Sequence, residues 1–456
     1  MASENASAPR WPKRYILLWL LLAVLVDWWR GPAFRLAFEP SFYPRGGWFF
    51  QPDFFQEWAS ARNRFNDLPI YASHEITLER YVGIRPNTAD RYFIAVNAHP
   101  PTSVLLAIPL AGLDFADALP LWNLLSLLAL VASAALIVNQ LDLPFSFWDL
   151  LPAVTIMLLC YPFQHQMVQG QLNLVLLLLI TGAWAADRSG HPIVAGALVA
   201  LATAIKLYPG FLFLYFVLRG RWRSVTAGSL AFVLITAMTA LVLGPQAYAD
   251  YFLRVLPGTS LWRGDWHNLS LSGLWFKLFD PRKQLPPIEV QPLLWSPVLA
   301  WLGAGCGAAA LGTVLYRVVP RLRSPEDADL AFALCIIAML LVSPITWDHY
   351  LLLLLLPIFI LWHRLPRGGY GREILMACLF VLCWEPLMVA EHGLILLDAG
   401  HNRSSGEWIA APLETLTALS IPCFAILGLF VLGILTAGKT ERVEGSTFEM
   451  AQAGMA

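Results

Sequence analysis

Polar side chains that could do chemistry form four groups in this 456-residue sequence, each beside a long apolar run. The groups are Asn97-Ala-His99-Pro100-Pro101, Gln169-Gly-Gln171-Leu-Asn173, Trp266-His267-Asn268-Leu-Ser270 and Ser343-Pro-Ile-Thr-Trp347-Asp348-His349-Tyr350. Indole rings and amides bind sugars, and His, Lys or Arg can hold the charge that develops on a leaving phosphate. Each group taken singly also suits a helix cap or an interfacial anchor. Together they indicate a pocket for a sugar and a phosphate.

Asp53 follows Pro52 and stands just before a segment of helical periodicity. Its carboxylate could cap that helix by accepting hydrogen bonds from the free backbone N–H groups. It could instead be a general base on a rigid element. The two interpretations stay open, although a carboxylate fully engaged in capping would be a weaker base.

Residues 54–66 predict an amphipathic helix. Its apolar stripe consists of Phe54, Phe55, Trp58, Ala61 and Phe65, and its polar face of Gln56, Glu57, Ser60, Asn63, Arg64 and Asp67. Such a helix could lie in the membrane interface or pack on the membrane spans of the protein itself. Both alternatives hold the segment at the bilayer surface.

Lys206 is a single cation inside the apolar stretch 193–218. Such a lysine must reach the interface, pair with a carboxylate or meet an anion. Pro209 lets the chain bend back here, since irregular backbone is tolerated where it lines a polar cavity. If the stretch bends back, the Gln171 group lies on the same side as Asp53, and if it crosses once, the group lies opposite.

The elements that must position these groups are membrane-spanning helices. The sequence is 58% hydrophobic and 13% charged, whereas soluble proteins average roughly 45–50% and about 25%. A net charge of −1 with scattered basic residues gives no indication of a nucleic-acid partner. The six cysteines show no metal-ligand spacing and are interpreted as packing residues.

We predict about twelve spans, each requiring around 20 apolar residues at full length. They lie near residues 15–29, 100–114, 119–139, 146–162, 171–186, 193–218, 224–243, 293–317, 328–343, 347–362, 373–391 and 411–437. The basic loops at 219–223, 317–323, 363–372 and 439–442 then fall on one side with the basic N-terminus, and this is the cytoplasmic side. The loops 30–99, 245–290 and 392–410 are assigned to the extracytoplasmic face.

The domain organisation follows from these spans. We expect a disordered cytoplasmic N-terminus at 1–14, one transmembrane domain at 15–438 and a disordered cytoplasmic tail at 439–456. No fixed-period repeat or soluble domain is indicated.

The order of the motifs resembles the bacterial and mycobacterial membrane glycosyltransferases of family 87. The resemblance rests on an early Asp, His-Pro-Pro, Gly-Gln-Leu-Asn, Lys-Leu-Tyr-Pro, His-Asn-Leu-Ser-Leu and Ser-Pro-Ile-Thr-Trp-Asp-His, and it runs from about residue 50 to 360. It implies an all-α polytopic membrane protein of GT-C fold, with interfacial helices in its extracytoplasmic loops. It also implies a polyprenyl-phosphate sugar donor, usually mannose and in some members arabinofuranose, and a glycan or glycolipid acceptor.

The resemblance also suggests site residues. Asp53 matches the catalytic base and His349 the histidine near the donor phosphate, while Lys206, Gln171 and Asn173 match polar family positions. His267 and Asn268 are placed with the donor, and His99 and Trp347 either with the acceptor or elsewhere in the pocket. Asp348 replaces the first His of a His-His ending in the family, which leaves the role of that turn open.

The predicted reaction is an inverting transfer at the extracytoplasmic face of the plasma membrane, with Asp53 as base and no metal or cofactor. The alternatives are a multi-pass transporter or lipid-linked-sugar flippase, and a non-enzymatic assembly protein. Transporters often show two related halves, and the sequence shows no such symmetry.

Overall fold

The computed structural model describes residues 51–85, 96–144, 149–366, 368–402 and 406–453, with residue 25 and the pieces 37–38, 43–45 and 48–50. Side chains beyond residue 437 are not described. The predicted N-terminus 1–14 and all but one residue of the first predicted span, 15–29, lie outside the described residues.

The described chain is mainly helical. Its α-helices are α1 (Phe54–Arg64), α2 (His74–Val82), α3 (Pro101–Ala107), α4 (Phe115–Gln140), α5 (Leu150–Leu159), α6 (Tyr161–Gln169), α7 (Asn173–Arg188), α8 (Pro192–Ile205), α9 (Phe213–Leu218), α10 (Trp222–Leu243), α11 (Gln246–Asp250), α12 (Leu256–Thr259), α13 (Leu271–Phe279), α14 (Pro297–Val318), α15 (Pro325–Val342), α16 (Leu355–Arg364), α17 (Gly371–Cys383), α18 (Pro386–Leu396), α19 (Pro412–Leu416) and α20 (Ile421–Ala453). Short 3₁₀ segments cover Ile108–Leu110, Tyr208–Leu212, Ser260–Gly264, Val319–Arg321, Asp348–Leu354 and Ala418–Ser420, and a π-helical turn covers Tyr251–Val255.

Short strands occur only in connecting segments of the described chain. Strands β1 (Tyr43–Arg45) and β2 (Trp48–Phe50) pair antiparallel. A three-stranded sheet joins β3 (Ile288–Val290) in parallel to β5 (Glu407–Ala410), which pairs antiparallel with β4 (Gly400–Asn402). This sheet ties the segment before α14 to the segment before α19.

Four helical segments of the described chain are long and apolar enough to cross a membrane. They are Phe115–Gln140, Trp222–Leu243, Pro297–Arg321 and Pro412–Ala437. The number rises to six if the pairs α6–α7, bent by 115°, and α17–α18, bent by 98°, are each one span. Large apolar side chains stay exposed along these helices, as a lipid-facing surface requires. The chain is therefore a helical membrane protein.

Residues 100–114 were predicted as a span, but they form only the ten-residue helix Pro101–Leu110. Ten helical residues rise about 15 Å, half of the roughly 30 Å of hydrocarbon. Both ends lie against α1, because Ala98 N donates to the Gln56 side chain (2.9 Å) and Leu113 O accepts from the Trp58 indole (3.2 Å). The segment stays at one end of the bundle, and the prediction of a crossing here is wrong.

The apolar stretch 193–218 bends back on itself. At the end of α8, the Lys206 ammonium donates to Gln171 Oε1 (2.9 Å), beside the start of α7. Nine residues later, the Tyr215 hydroxyl donates to Asp187 Oδ2 (2.7 Å), at the opposite end of α7. The structure thus adopts the bent alternative, and the Gln171 group lies on the Asp53 side.

Close contact between α8 and α10 supports this bend. A Cβ atom at Gly196 would lie 2.1 Å from the carbonyl oxygen of Ser224, so no side chain fits there. One at Gly228 would lie 2.8 Å from the carbonyl oxygen of Gly196. The two glycines let the starts of α8 and α10 approach closely, so the chain returns to the end of the bundle opposite to Lys206 before α10 begins.

Helix α15 lies at the centre of the bundle, where every residue from Asp329 to Leu341 is buried. Asp329 is the charged residue within this buried range, and its carboxylate accepts from the Trp184 indole (2.8 Å) and lies 3.4 Å from Arg188. Because α15 is held on all sides, the turn that follows it, residues 343–349, has a rigid base.

Candidate active site

Asp53 lies at the first turn of α1, but its side chain makes no capping hydrogen bond. Its carboxylate instead accepts from Gln56 Nε2 (3.0 Å) and from Gln171 Nε2, and its own N–H donates to Gln169 Oε1 (3.2 Å). Burial raises the pKa of the Asp53 carboxyl, whereas the charge of His99 and the Gln171 amide lower it. The interpretation of the side chain as a helix cap is therefore wrong, and the role of the carboxylate as a base stays a prediction.

The apolar stripe of the predicted helix packs on the protein itself. Phe54 stacks on Trp122 of α4, with ring centroids 4.8 Å apart, and Trp58 contacts Phe115 at 5.3 Å. The exception is Phe65, which is 65% exposed just beyond the helix. The helix is confirmed, and its apolar stripe packs on the spans of the protein itself.

Most of the polar face of α1 is buried as well, with Gln56, Glu57 and Ser60 against residues 97–99, whereas Arg64 and Asp67 stay exposed. Asn97 Nδ2 donates to Gln56 O (3.2 Å) and Ser60 Oγ (3.1 Å). His99 Nδ1 lies 2.5 Å from Glu57 Oε1, and only 2% of the Glu57 side chain is exposed. The sequence analysis placed Glu57 on the polar face of the helix and did not predict it as a site residue. Its position four residues after Asp53, on one helix face, was the available signal.

Gln171 connects the Asp53 carboxylate to the Lys206 ammonium. Its amide nitrogen donates to Asp53, and its amide oxygen accepts from Lys206 Nζ (2.9 Å). The preceding Gly170 has a φ of +62°, and a Cβ there would lie 2.7 Å from Phe54 Cβ and from Leu119 Cδ1. Glycine is required, and its turn directs Gln171 into the site.

The Lys206 ammonium is 3% exposed and has few partners. It makes the bond to Gln171 and lies 4.5 Å from the centroid of the Tyr350 ring. No carboxylate lies within 4.0 Å of it among the described residues. A buried ammonium without a counter-ion favours the interpretation that it meets an anionic ligand.

Asn173 has a different environment from Gln171. Its Nδ2 donates to Gln166 Oε1 (3.1 Å), and its Oδ1 accepts from the Tyr208 hydroxyl (3.1 Å). Tyr208 in turn stacks on Tyr350 at 4.9 Å. Asn173 therefore joins α7 to the bend after Lys206, and its direct contact with a donor stays a prediction.

Asp348 is a fully buried carboxylate around which three histidines converge. His165 Nδ1 lies 2.7 and 2.9 Å from its two oxygens, His349 Nδ1 lies 3.1 Å from Oδ1, and His267 Nε2 lies 3.5 Å from Oδ2. The sequence left the role of the turn at Asp348 open. In the structure, the Asp348 carboxylate orients the three imidazole rings. His349 Nε2 is buried without a partner, so it can receive a ligand atom.

His165 was missed by the sequence analysis. It lies on the short helix α6, which ends at Gln169. It belongs to none of the motifs that the sequence analysis considered. Its Nε2 faces Gln169 Nε2 at 3.2 Å, and Gln169 Oε1 accepts from the backbone of Asp53. His165 thereby links the Asp53 and Asp348 parts of the site.

Three of these groups could also hold a metal ion. His165, Asp348 and His349 each offer a ligand atom, and the three atoms lie within 4.8 Å of one another. Imidazole and carboxylate suit zinc and similar divalent ions. The same separations are ordinary hydrogen-bond lengths, so the side chains also satisfy one another.

In the loop around His267, aromatic rings stack on one another, and the Asn268 side chain hydrogen-bonds to the backbone of two loops. The His267 ring stacks on Trp266 at 4.9 Å and contacts Trp347 at 5.4 Å. Asn268 is wholly buried, donating to Arg263 O and Pro344 O and accepting from the N–H groups of Ser270 and Thr346. Its amide is saturated by backbone groups, so we interpret Asn268 as the clasp between two loops, whereas His267 and Trp347 remain beside Asp348.

Fold and site together define a class of protein: a polytopic membrane protein with a carboxylate and an ammonium joined through one amide at one end of the bundle. A family model for glycosyltransferase family 87 matches residues 97–344, more than half of the chain. The chain therefore belongs to glycosyltransferase family 87, and it is a membrane glycosyltransferase.

One curated relative gives a more particular comparison. The chain is 24% identical over 363 residues to the polyprenol-phosphate-mannose-dependent alpha-(1-2)-phosphatidylinositol mannoside mannosyltransferase of Mycobacterium tuberculosis (strain ATCC 25618 / H37Rv). The match covers 75% of this chain and 77% of the relative. No solved structure matches the chain.

Proposed function

We propose that the protein transfers a sugar, in the first instance mannose, from a polyprenyl-phosphate donor to a glycan or glycolipid acceptor. The observation that carries the proposal is the Gln171 side chain, which bonds the Asp53 carboxylate at one end and the Lys206 ammonium at the other. A base and an anion-binding group are thereby separated by a single amide. The relative's donor and its lipid acceptor support the same chemistry.

In this mechanism Asp53 accepts the proton of an acceptor hydroxyl as its oxygen attacks the anomeric carbon. The bond from that carbon to the phosphate oxygen breaks on the opposite face, and the lipid phosphate leaves with the electron pair, which gives inversion. Lys206 and the unpartnered Nε2 of His349 bind the phosphate and stabilise its growing charge. Trp347 and His267 lie beside the donor, and His99 lies on the acceptor side of Asp53.

The protein places this site at the extracytoplasmic face of the plasma membrane, within a GT-C fold. The bend at Pro209 puts the Gln171 group on the side of the Asp53, His267 and His349 groups. We assign the basic loops to the opposite, cytoplasmic side.

Transfer of mannose by purified protein tests the proposal. Protein in detergent or liposomes receives polyprenyl-phosphate mannose with mixed lipid acceptors, and labelled product is compared for wild type and Asp53→Asn. Asp67→Asn is the matched control, because Asp67 is an exposed residue of the same segment whose φ of +53° Asn tolerates.

Transfer by wild type and Asp67→Asn, with loss in Asp53→Asn, is the expected result. Undiminished transfer by Asp53→Asn would remove the base assignment. Movement of the lipid-linked sugar across the bilayer without transfer to any acceptor would instead favour a flippase.

A further inference from the structure

A cavity of about 440 Å³ lies where the turn between α9 and α10 meets the segment between α14 and α15. It is lined by Leu218, Arg219, Gly220, Arg221, Pro320 and Arg323. Half of these residues are arginines, and none is acidic. A guanidinium group stays protonated in proteins, so positive charge surrounds the cavity.

This cavity lies at the opposite end of the bundle from Asp53. The Arg221 Nε atom lies 3.7 Å from Asp187 Oδ1, near the C-terminal end of α7. Gln171, which donates to the Asp53 carboxylate, comes just before the N-terminal end of the same helix. The 16 residues of α7 rise about 24 Å, so an anion in the cavity is remote from the proposed donor site.

The protein compensates the positive charge beside the cavity only in part. The Asp187 carboxylate pairs with Arg221 and also accepts from the Tyr215 hydroxyl (2.7 Å). Neither Arg219 nor Arg323 forms an ion pair among the described residues. Like charges around one cavity repel one another, and a bound anion offsets that repulsion.

The cavity lies level with the ends of two membrane spans. The span Trp222–Leu243 begins directly after Arg221, and the span Pro297–Arg321 ends two residues before Arg323. Trp222 is 61% exposed, and indole rings are enriched at the level of the lipid head groups. Large apolar side chains are exposed along both spans, so lipid chains pack beside the cavity. The phosphate of a membrane lipid is the anion that suits this position.

We propose that the cavity binds the phosphate of an anionic membrane lipid, with Arg219, Arg221 and Arg323 as the phosphate-binding residues. Planar guanidinium groups bind two phosphate oxygens at a time, and basic pockets between membrane helices bind anionic head groups. The bound lipid joins the turn after α9 to the segment before α15 and stabilises the folded protein. The site lies in the leaflet that we assign to the cytoplasmic side, and it does not depend on sugar transfer.

Lipid binding by the purified full-length protein tests the proposal. Native mass spectrometry of protein released from detergent micelles measures the affinity for phosphatidylglycerol, which is anionic, and for phosphatidylcholine, which has no net charge. We expect wild type to prefer phosphatidylglycerol. Arg219→Gln/Arg323→Gln should bind phosphatidylglycerol about tenfold more weakly or worse, because charge-assisted hydrogen bonds to the phosphate are lost.

Arg223→Gln/Arg317→Gln is the matched control for charge. Both arginines are exposed near the same two span ends, and neither lines the cavity. The control variant loses as much positive charge as the cavity variant, and its affinity for phosphatidylglycerol should match that of wild type. An equal loss in the control would show that only the general positive charge attracts the lipid, and it would overturn the proposal.

Three further results decide the question. Arg219→Lys/Arg323→Lys keeps both charges but loses the planar guanidinium groups, so its affinity should fall below that of wild type even if the Gln variant does not fold. Excess inorganic phosphate should leave bound phosphatidylglycerol in place, and displacement would assign the cavity to a small anion instead. Equal binding of phosphatidylcholine by wild type, or unchanged affinity in the cavity variants, would also overturn the proposal. None of these outcomes affects the proposed function, since sugar transfer is not measured.

Discussion

Two carboxylates serve the site in opposite ways. Asp53 is partly exposed and receives neutral amide donors from Gln56 and Gln171. Asp348 is fully buried and lies among the rings of His165, His267 and His349. Neutral donors leave a carboxylate able to take a proton, whereas a ring of imidazoles commits it to holding them. Residue type alone does not distinguish the two carboxylates, and the proposal that Asp53 is the base rests on their different partners.

The largest effect on the rate is expected for substitution of Asp53, the carboxylate with neutral amide donors. Asp53→Asn should lower kcat by about 10²–10⁴-fold, the usual contribution of a general base. Donor affinity should change little, because the phosphate-binding groups remain. Single-turnover rates and binding of radiolabelled polyprenyl-phosphate mannose separate the two quantities. A parallel loss of donor binding would contradict the assignment.

Lys206→Met should lower kcat/KM by about 10²-fold, since it removes a buried cation from the developing phosphate charge. Lys206→Arg keeps the charge and should recover part of the rate. Initial rates over a range of donor concentrations measure both variants. Equal rates for the Met and Arg variants would show that the charge is not used.

His165→Gln should reduce donor affinity by about tenfold, an effect of the size seen when a residue that orients ligands is lost. His165 has both ring nitrogens occupied, by Asp348 and Gln169, so it acts by positioning. Equilibrium binding of the labelled donor is the measurement, with His392→Gln, an exposed histidine on α18, as the control. An unchanged affinity would separate His165 from the donor site.

The smallest effect is expected in the pH dependence of transfer, which distinguishes the titration of Asp53 from that of Asp348. Burial raises the pKa of Asp53, so the acid limb of the transfer rate should lie above the usual range for an aspartate. Asp348→Asn should lower the rate and the thermal stability, yet leave the position of that limb unchanged. The pH profile of residual transfer by Asp348→Asn provides the check. A displaced limb would assign the titration to Asp348.

Much of the site could be predicted because its residue types were unusual for their surroundings. Lys206 inside an apolar stretch, and amides beside apolar runs, are costly unless they serve a ligand. Glu57 and His165 lacked that contrast. Glu57 matched the polar half of an amphipathic pattern, and only the path of residues 97–99 along α1 shows that this half is buried.

The span predictions failed where length was the deciding quantity. Residues 100–114 are apolar enough to cross, but both their ends are bonded to α1. The stretch 193–218 reads as one continuous run, although Lys206 and Tyr215 bind opposite ends of α7. Hydropathy records composition along the chain and contains no information about which segments pair.

The sequence by itself determined that this is a membrane protein, since its apolar content exceeds what a soluble core can hold. The order of its motifs indicated the family. It also singled out Asp53, Lys206, Gln171 and His349 as polar residues at apolar edges. The tertiary structure alone decided which carboxylate receives neutral amide donors and which is surrounded by imidazoles. That choice depends on hydrogen-bond partners from distant segments, such as Gln171 for Asp53 and His165 for Asp348, and burial fixes those partners only once the helices have packed.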